Sequence, residues 1–170
     1  MSYIVVCPLE DISPVAAQHG ATEMVSLLGP GQPLQRPNEI DENRHLIVGV
    51  NDIQFETEGL TSPDDAHVAS IIEFARTWDQ TNPLLIHCWF GVSRSPAAAL
   101  ISALSVRPER DDSEIAQSLR NAAPSATPNA RIIEIGDRLL KRDGKLIRAV
   151  REIGRGAETS QGSPFKLPLA

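Results

Sequence analysis

The sequence predicts an α/β fold: a mostly parallel central sheet of about four to five strands flanked by helices, with a helical C-terminal half. Two observations carry that expectation. Over the first hundred residues, short apolar runs rich in β-branched residues alternate with segments of helical periodicity. From residue 112 to about 154, apolar positions recur only at helical spacing.

Residues 3–7 (YIVVC) read as a first buried strand. Residues 13–20 read as a short helix with Ser13 as N-cap, Pro14 first and Gly20 at the end. A second strand is expected at 23–28 (EMVSLL). Gly and Pro punctuate 29–39 too densely for a regular element, and a third strand follows at 45–50 (HLIVGV). The stretch 62–78 predicts a helix with Ser62 as cap, Pro63 first and Asp65 completing a capping box; Val68, Ile71, Ile72, Ala75 and Trp78 mark its buried face. Residues 84–88 (LLIHC) are a fourth strand, and a helix is expected to begin at Ser95-Pro96. Three more helical segments lie at 112–123, 127–144 and 145–154. There are no repeats. The tail from 155 ends in PFKLPLA, whose Phe165, Leu167 and Leu169 either dock an extended segment on the domain or belong to a disordered end; docking is favoured.

At 170 residues, with 41% hydrophobic and 22% charged residues, the chain is expected to fold as one domain over 1–154 with the tail at 155–170. Its net charge of −6 argues against nucleic acid or an anionic membrane as principal partner, while leaving room for a locally positive anion site. No apolar run approaches the roughly 20 residues of a membrane span, and the N-terminus lacks the basic start and long apolar segment of a signal peptide. A cytoplasmic location is the default, and there Cys7 and Cys88 stay reduced. No CxxC or HExxH suggests a metal, and no cofactor is expected.

Chemistry is concentrated in PLLIHCWFGVSRSPAAAL, residues 83–100. A strand ends at Cys88 and a helix begins near Ser95, so the intervening loop can turn its backbone N–H groups inward as an anion-binding concavity. Gly91 permits the tight backbone, and Arg94 offers a planar fork that matches two phosphate oxygens. A thiol at the base of such a cradle is placed to ionise readily and to attack phosphorus. A lone cysteine on a strand is more often a core residue, but that leaves Arg94 at a helix entrance, where the dipole disfavours a cation.

The run His87-Cys88-Trp89-Phe90-Gly91-Val92-Ser93-Arg94-Ser95 resembles the HC-x5-R-S loop of the cysteine-dependent protein tyrosine phosphatases, closest to the small dual-specificity branch in its bacterial version. Looser resemblance reaches HLIVGVNDI (45–53) and PNARII (128–133). The resemblance implies Cys88 as nucleophile, residues 89–93 with Arg94 as the phosphate cradle, His87 as a support that orders the loop, and Ser95 as the hydroxyl that helps the sulfur leave. Ser95 is also expected to be the helix N-cap. Trp89 and Phe90 read equally as pocket walls or as core. The five residues 89–93 carry no Lys or Arg, which makes a highly anionic substrate such as an inositol polyphosphate less favoured.

A general acid is needed because a phenolate is a poor leaving group, and the resemblance implies an aspartate some thirty residues upstream. Asp52, Asp64 and Asp65 are the candidates. Asp52 follows the third strand, at the sheet edge shared with the Cys88 loop if the strands are parallel, whereas Asp64 and Asp65 fall in a helix first turn where acidic residues cap. Asp52 is assigned. Asn129 resembles a residue that braces the loop in dual-specificity relatives, and is otherwise helix-start chemistry. His19, His45 and His67 read as surface or helix residues. The expected protein is a monomeric phosphatase of phosphorylated proteins or peptides, cleaving phosphotyrosine, with phosphoserine and phosphothreonine left open as further substrates, through a phosphocysteine. The alternatives are a rhodanese-like sulfurtransferase and a pseudophosphatase that only binds phosphate.

Overall fold

The computed structural model describes residues 2–170. Its sheet has five strands in the order β3-β2-β4-β1-β5, formed by β1 (Tyr3–Pro8), β2 (Glu23–Leu28), β3 (His45–Gly49), β4 (Leu84–Cys88) and β5 (Phe165–Pro168). The first four are parallel and β5 pairs antiparallel with β1. β4 is central, with Val6 opposite Ile86 on one side and Val25 opposite Ile86 on the other. β1, β2 and β4 are buried almost throughout, which is why they read as apolar runs broken within β2 and β4 by the buried Glu23, Ser26 and His87.

Alternation along the strands sends side chains to two cores. Val5, Cys7, Met24 and Leu85 face α1 (Ile12–His19) and the loop around Ile40. Ile4, Val6, Val25, Ile86 and Cys88 face the opposite layer. That layer holds α2 (Asp65–Thr77), α3 (Arg94–Val106), α4 (Asp112–Ala122), α5 (Ala130–Leu139) and α6 (Lys145–Ile153). α3 is buried from Arg94 to Ser105, the fate of an Ala-rich segment enclosed between sheet and helices. Where α5 crosses α3, Gly136 lies so close to Ile101 that any larger residue would collide with it.

Four helix starts differ from the sequence expectation; one is α5, expected over 127–144 but running Ala130–Leu139 behind an Asn129 cap. α1 begins at Ile12, because a 3₁₀ turn over Leu9–Asp11 runs straight into it, and Ser13 is inside the helix rather than its cap. α2 begins at Asp65, not after Ser62. Arg131 Nε donates to the Pro63 carbonyl (3.3 Å), holding Pro63 outside, and Asp64 caps the helix. Asp64 accepts from the His67 N–H (2.9 Å) while the Asp64 N–H donates to His67 Nδ1 (3.1 Å), so the capping box pairs Asp64 with His67 and leaves Asp65 to Arg138. α3 begins at Arg94 with Ser93 at the cap position, so Ser95 is not its N-cap. The tail runs on from α6 to β5, where buried Phe165, Leu167 and Leu169 alternate with exposed Lys166 and Pro168.

Candidate active site

Because β1, β3 and β4 are parallel, the loops after them emerge at one sheet edge, where open α/β sheets bind ligands. The Cys88 loop leaves the central strand there. Gly91 adopts φ +71°, and a Cβ on it would lie 3.0 Å from Pro8 N and 3.1 Å from the Cys7 carbonyl carbon, so glycine is required twice over.

The carbonyls of this loop are drawn outward. His87 Nδ1 donates to the Cys88 oxygen (3.1 Å), Leu9 N–H to Trp89 (3.0 Å), Gly162 N–H to Phe90 (2.8 Å), Thr127 N–H to Val92 (2.8 Å) and Asn129 N–H to Ser93 (3.1 Å). The N–H groups of residues 89–93 make no hydrogen bond within the described residues. A peptide whose carbonyl is anchored on one side turns its N–H to the other, so the loop forms a nest of free donors at the start of α3.

Cys88 sits at the base of that nest, 2% exposed, with its Sγ 3.0 Å from the Ser95 hydroxyl. Ser95 is the second residue of α3, which aims its side chain back at β4. Arg94 is 9% exposed; one terminal nitrogen donates to the Val50 carbonyl just after β3 (2.9 Å), while Nε has no partner among the described residues. A buried, unpaired guanidinium N–H beside a ring of unpaired amides is a site built to be completed by an anion.

Asp52 follows β3 and reaches this loop. Its Oδ1 accepts from the Ser93 hydroxyl (2.7 Å) and from Asn129 Nδ2 (2.9 Å), while Oδ2 engages no side chain among the described residues. Asn129 is both things the sequence allowed. Its Oδ1 caps α5 through the Ile132 N–H (3.0 Å), and its amide ties Asp52 and the Ile53 carbonyl to the Cys88 loop. Asp64 and Asp65 stay at the head of α2. Asp65 forms a two-pronged pair with Arg138, whose hydrogen bonds hold the Asp65 carboxyl below the usual carboxylate range.

His87 is fully buried, and burial lowers its pKa to about 4, so the ring is neutral. Trp89 and Phe90 are 41% and 50% exposed: they rim the cradle rather than fill the core. Beside it opens a groove of about 1050 Å³ lined by Asp52, Val92, Ser93, Asn129, Arg151 and Arg155. Cys88 and Arg94 are not on its walls, so it is a shelf next to the cradle. Cys7 lies opposite His87 and faces α1, while Cys88 faces α3; burial pushes the Cys7 thiol up to about 12.

The residues that sequence reasoning missed are mostly backbone donors. Leu9, Thr127 and Gly162 anchor the loop through N–H groups that every residue but proline carries, so no side-chain signal announces them. Gly162 has one trace: a Cβ there would come within 3.0 Å of the Gly91 oxygen. Arg120 was missed as well. It donates to the carbonyls of Ala123, Pro124, Ala126 and Gly154, folding the segment that presents Thr127.

No family model matches the chain, and no curated protein matches it in sequence. Solved structures do. A variant of human DUSP28 superposes with a TM-score of 0.61 at 19% identity, covering 81% of this chain and 91% of that one. DUSP15 does so at 0.58 and 18%, covering 90% and 92%. A mouse putative dual specificity phosphatase, complexed with zinc tungstate, does so at 0.57 and 18%, covering 85% of each. The fold is that of the cysteine-dependent protein tyrosine phosphatases. Within that class, the structures it resembles include several dual-specificity phosphatases.

Proposed function

We propose that the protein is a phosphatase that hydrolyses phosphotyrosine in proteins or peptides through a covalent phosphocysteine at Cys88, with phosphoserine and phosphothreonine as secondary substrates. The observation that carries this reading is that the N–H groups of residues 89–93, directly after Cys88, and the buried Nε of Arg94 all lack partners among the described residues. The mouse structure is complexed with zinc tungstate, and tungstate, like phosphate, is a tetrahedral oxyanion, the class of ligand that a ring of free donors accepts.

Phosphate oxygens accept from the loop amides and from Arg94, presenting phosphorus to the sulfur. The Cys88 thiolate attacks phosphorus, the bond to the leaving oxygen breaks, and Asp52 delivers its proton to that oxygen from Oδ2, while Oδ1 stays held by Ser93 and Asn129. Water then attacks the phosphocysteine and gives its proton to Asp52. The sulfur leaves as a thiolate, stabilised by the Ser95 hydroxyl 3.0 Å away. Arg94 bridges the equatorial oxygens, whose charge and geometry change most in the transition state. The exposed rings of Trp89 and Phe90 suit an aryl leaving group, and the groove beside the cradle offers room for residues flanking the phosphoamino acid.

Parallel assays with a chromogenic aryl phosphate and with thiosulfate plus cyanide test this reading. Phosphate release lost in Cys88→Ser supports it. Thiocyanate formation without phosphate release would reassign the site to sulfur transfer, and binding of phosphate without either activity would make it a recognition module.

A further inference from the structure

Strands β3, β2 and β4 lie side by side, and on the face covered by α1 they carry His45, Ser26 and His87 in a row. Their companions on that face, Met24 and Leu85 among them, are apolar. His87 Nε2 lies 2.6 Å from the Ser26 hydroxyl oxygen, which lies 2.7 Å from His45 Nε2. His45 Nδ1 accepts in turn from Arg36 Nε at 3.1 Å. The other end of the row is the His87 Nδ1 bond to the Cys88 carbonyl.

Each end fixes the direction of every bond between. A guanidinium only donates, so His45 Nδ1 is bare and its proton sits on Nε2, pointing at Ser26. Ser26 therefore spends its one hydrogen on His87 Nε2, leaving His87 with its proton on Nδ1. From the opposite end, a carbonyl only accepts, so His87 carries a proton on Nδ1, and the neutral ring accepts at Nε2. The two ends agree. Burial lowers the pKa of both rings to about 4, so each stays in the neutral form that this pattern needs.

We propose that Arg36, His45 and Ser26 are positioning residues for the Cys88 loop: a one-way donor relay across three strands that fixes the His87 tautomer and holds the Cys88 carbonyl away from the phosphate nest. In the alternative tautomer His87 Nδ1 would turn a lone pair on that carbonyl oxygen, and the anchor of the peptide adjoining the sulfur would be lost. Arg36 comes from the Gly- and Pro-rich loop before β3, so an outlying loop and the edge strand are tied to the centre of the site. The kinetic consequence rests on the phosphatase reading above; the tautomers do not.

The experiment is nitrogen-15 NMR of the histidine imidazoles in the whole chain at neutral pH, with kinetics on an aryl phosphate alongside. His87 is expected as the Nδ1–H tautomer and His45 as the Nε2–H tautomer. Ser26→Ala should lower kcat about five- to tenfold with KM within about twofold, the size of losing one buried hydrogen bond. Arg36→Met, on the protein's periphery, should let His45 exchange between tautomers and lower kcat about twofold, and Arg36→Lys should restore both. His87 found as the Nε2–H tautomer, or kcat unchanged in both Ser26→Ala and Arg36→Met, overturns the relay. If Ser26→Ala does not fold, the Arg36 pair decides. If the wild type releases no phosphate, the phosphatase reading falls, and the tautomers alone decide the relay.

Discussion

The loops after β4 and after β3 leave the same sheet edge, and they are held in opposite ways. In residues 88–95, the carbonyls of Cys88, Trp89, Phe90, Val92 and Ser93 are anchored by donors from four parts of the chain: the His87 side chain, the loop after β1, the segment before α5 and the tail. Residues 51–63 are held at their neck, where Asn51 and Thr61 exchange bonds (Asn51 N–H to the Thr61 oxygen and Thr61 N–H to Asn51 Oδ1, both 2.8 Å), at Asp52 and Ile53, which meet Asn129 and Ser93, and at Pro63, whose carbonyl accepts from Arg131. Beyond that the loop is exposed, with Phe55 80% accessible at its tip. A nest for a transition state gains from rigidity, because its donors need no reorganisation when charge develops. Asp52 itself lies at the held end of its loop, so the proposed proton donor is fixed by Ser93 and Asn129 while the exposed tip beyond it is not.

The comparison breaks first at Asp52. In Asp52→Asn, phosphotyrosine hydrolysis should slow by about 10²- to 10³-fold, while an ester with a strongly electron-withdrawing leaving group slows far less. Steady-state rates on both substrates check this, and Asp64→Asn is the control: it should change neither ratio and cost about 1 kcal/mol or less of helix capping. Equal slowing of both esters would detach Asp52 from leaving-group protonation. Next in size is Arg94→Lys, which keeps the charge and loses the fork; kcat should drop about a hundredfold, measured on either ester.

A third test addresses the sheet side of the nest. His87 has a folded-state pKa of about 4 against 6.5 for the free side chain, so the unfolded chain takes up a proton that the folded one refuses. The stability this represents is present above pH 6.5 and is lost as pH falls towards 4, on the order of 3 kcal/mol for this ring. Urea unfolding at a series of pH values should show that slope together with a like contribution from the buried His45, whose pKa is also lowered to about 4, and His87→Gln should reduce it by about half. The smallest effect is expected from the tail. Gly162→Ala brings a methyl against the Gly91 and Phe90 oxygens, so the loop must yield by a few tenths of an ångström, and kcat should fall by about two- to fivefold with melting temperature little changed. An unaltered kcat would show that the tail is no brace for the loop.

What the sequence disclosed follows the same division. Cys88, Gly91 and Arg94 are legible from the chemistry of an anion-binding loop at a helix start, and His87 and Ser95 from the resemblance to the phosphatase signature; the structure places all five in or beside one loop. The strands 23–28 and 84–88 are legible because burial on both faces leaves mostly apolar runs, interrupted by the buried Glu23, Ser26 and His87. Helix starts shifted because Ser13, Ser62 and Ser95 each offered a plausible cap, while the choice fell to a preceding turn, to Asp64 with its His67 partner, and to the Ser95 hydroxyl's engagement with Cys88. His45 read as a surface or helix residue and is a strand residue bonded to Ser26 and Arg36, since its partners are known only once β3 lies beside β2. β5 is of the same kind: its place depends on pairing with β1, some 160 positions away.

The central claim is that phosphate passes through the Cys88 sulfur, and rapid acid quenching of the enzyme during turnover of an aryl phosphate tests it most directly. Mass spectrometry of the quenched protein should find one phosphoryl group, on the peptide that contains Cys88, and none in Cys88→Ser, whose turnover should fall by about 10⁴-fold or more. Steady phosphate release with Cys88 unmodified throughout, or with the phosphoryl group on another residue, would contradict it.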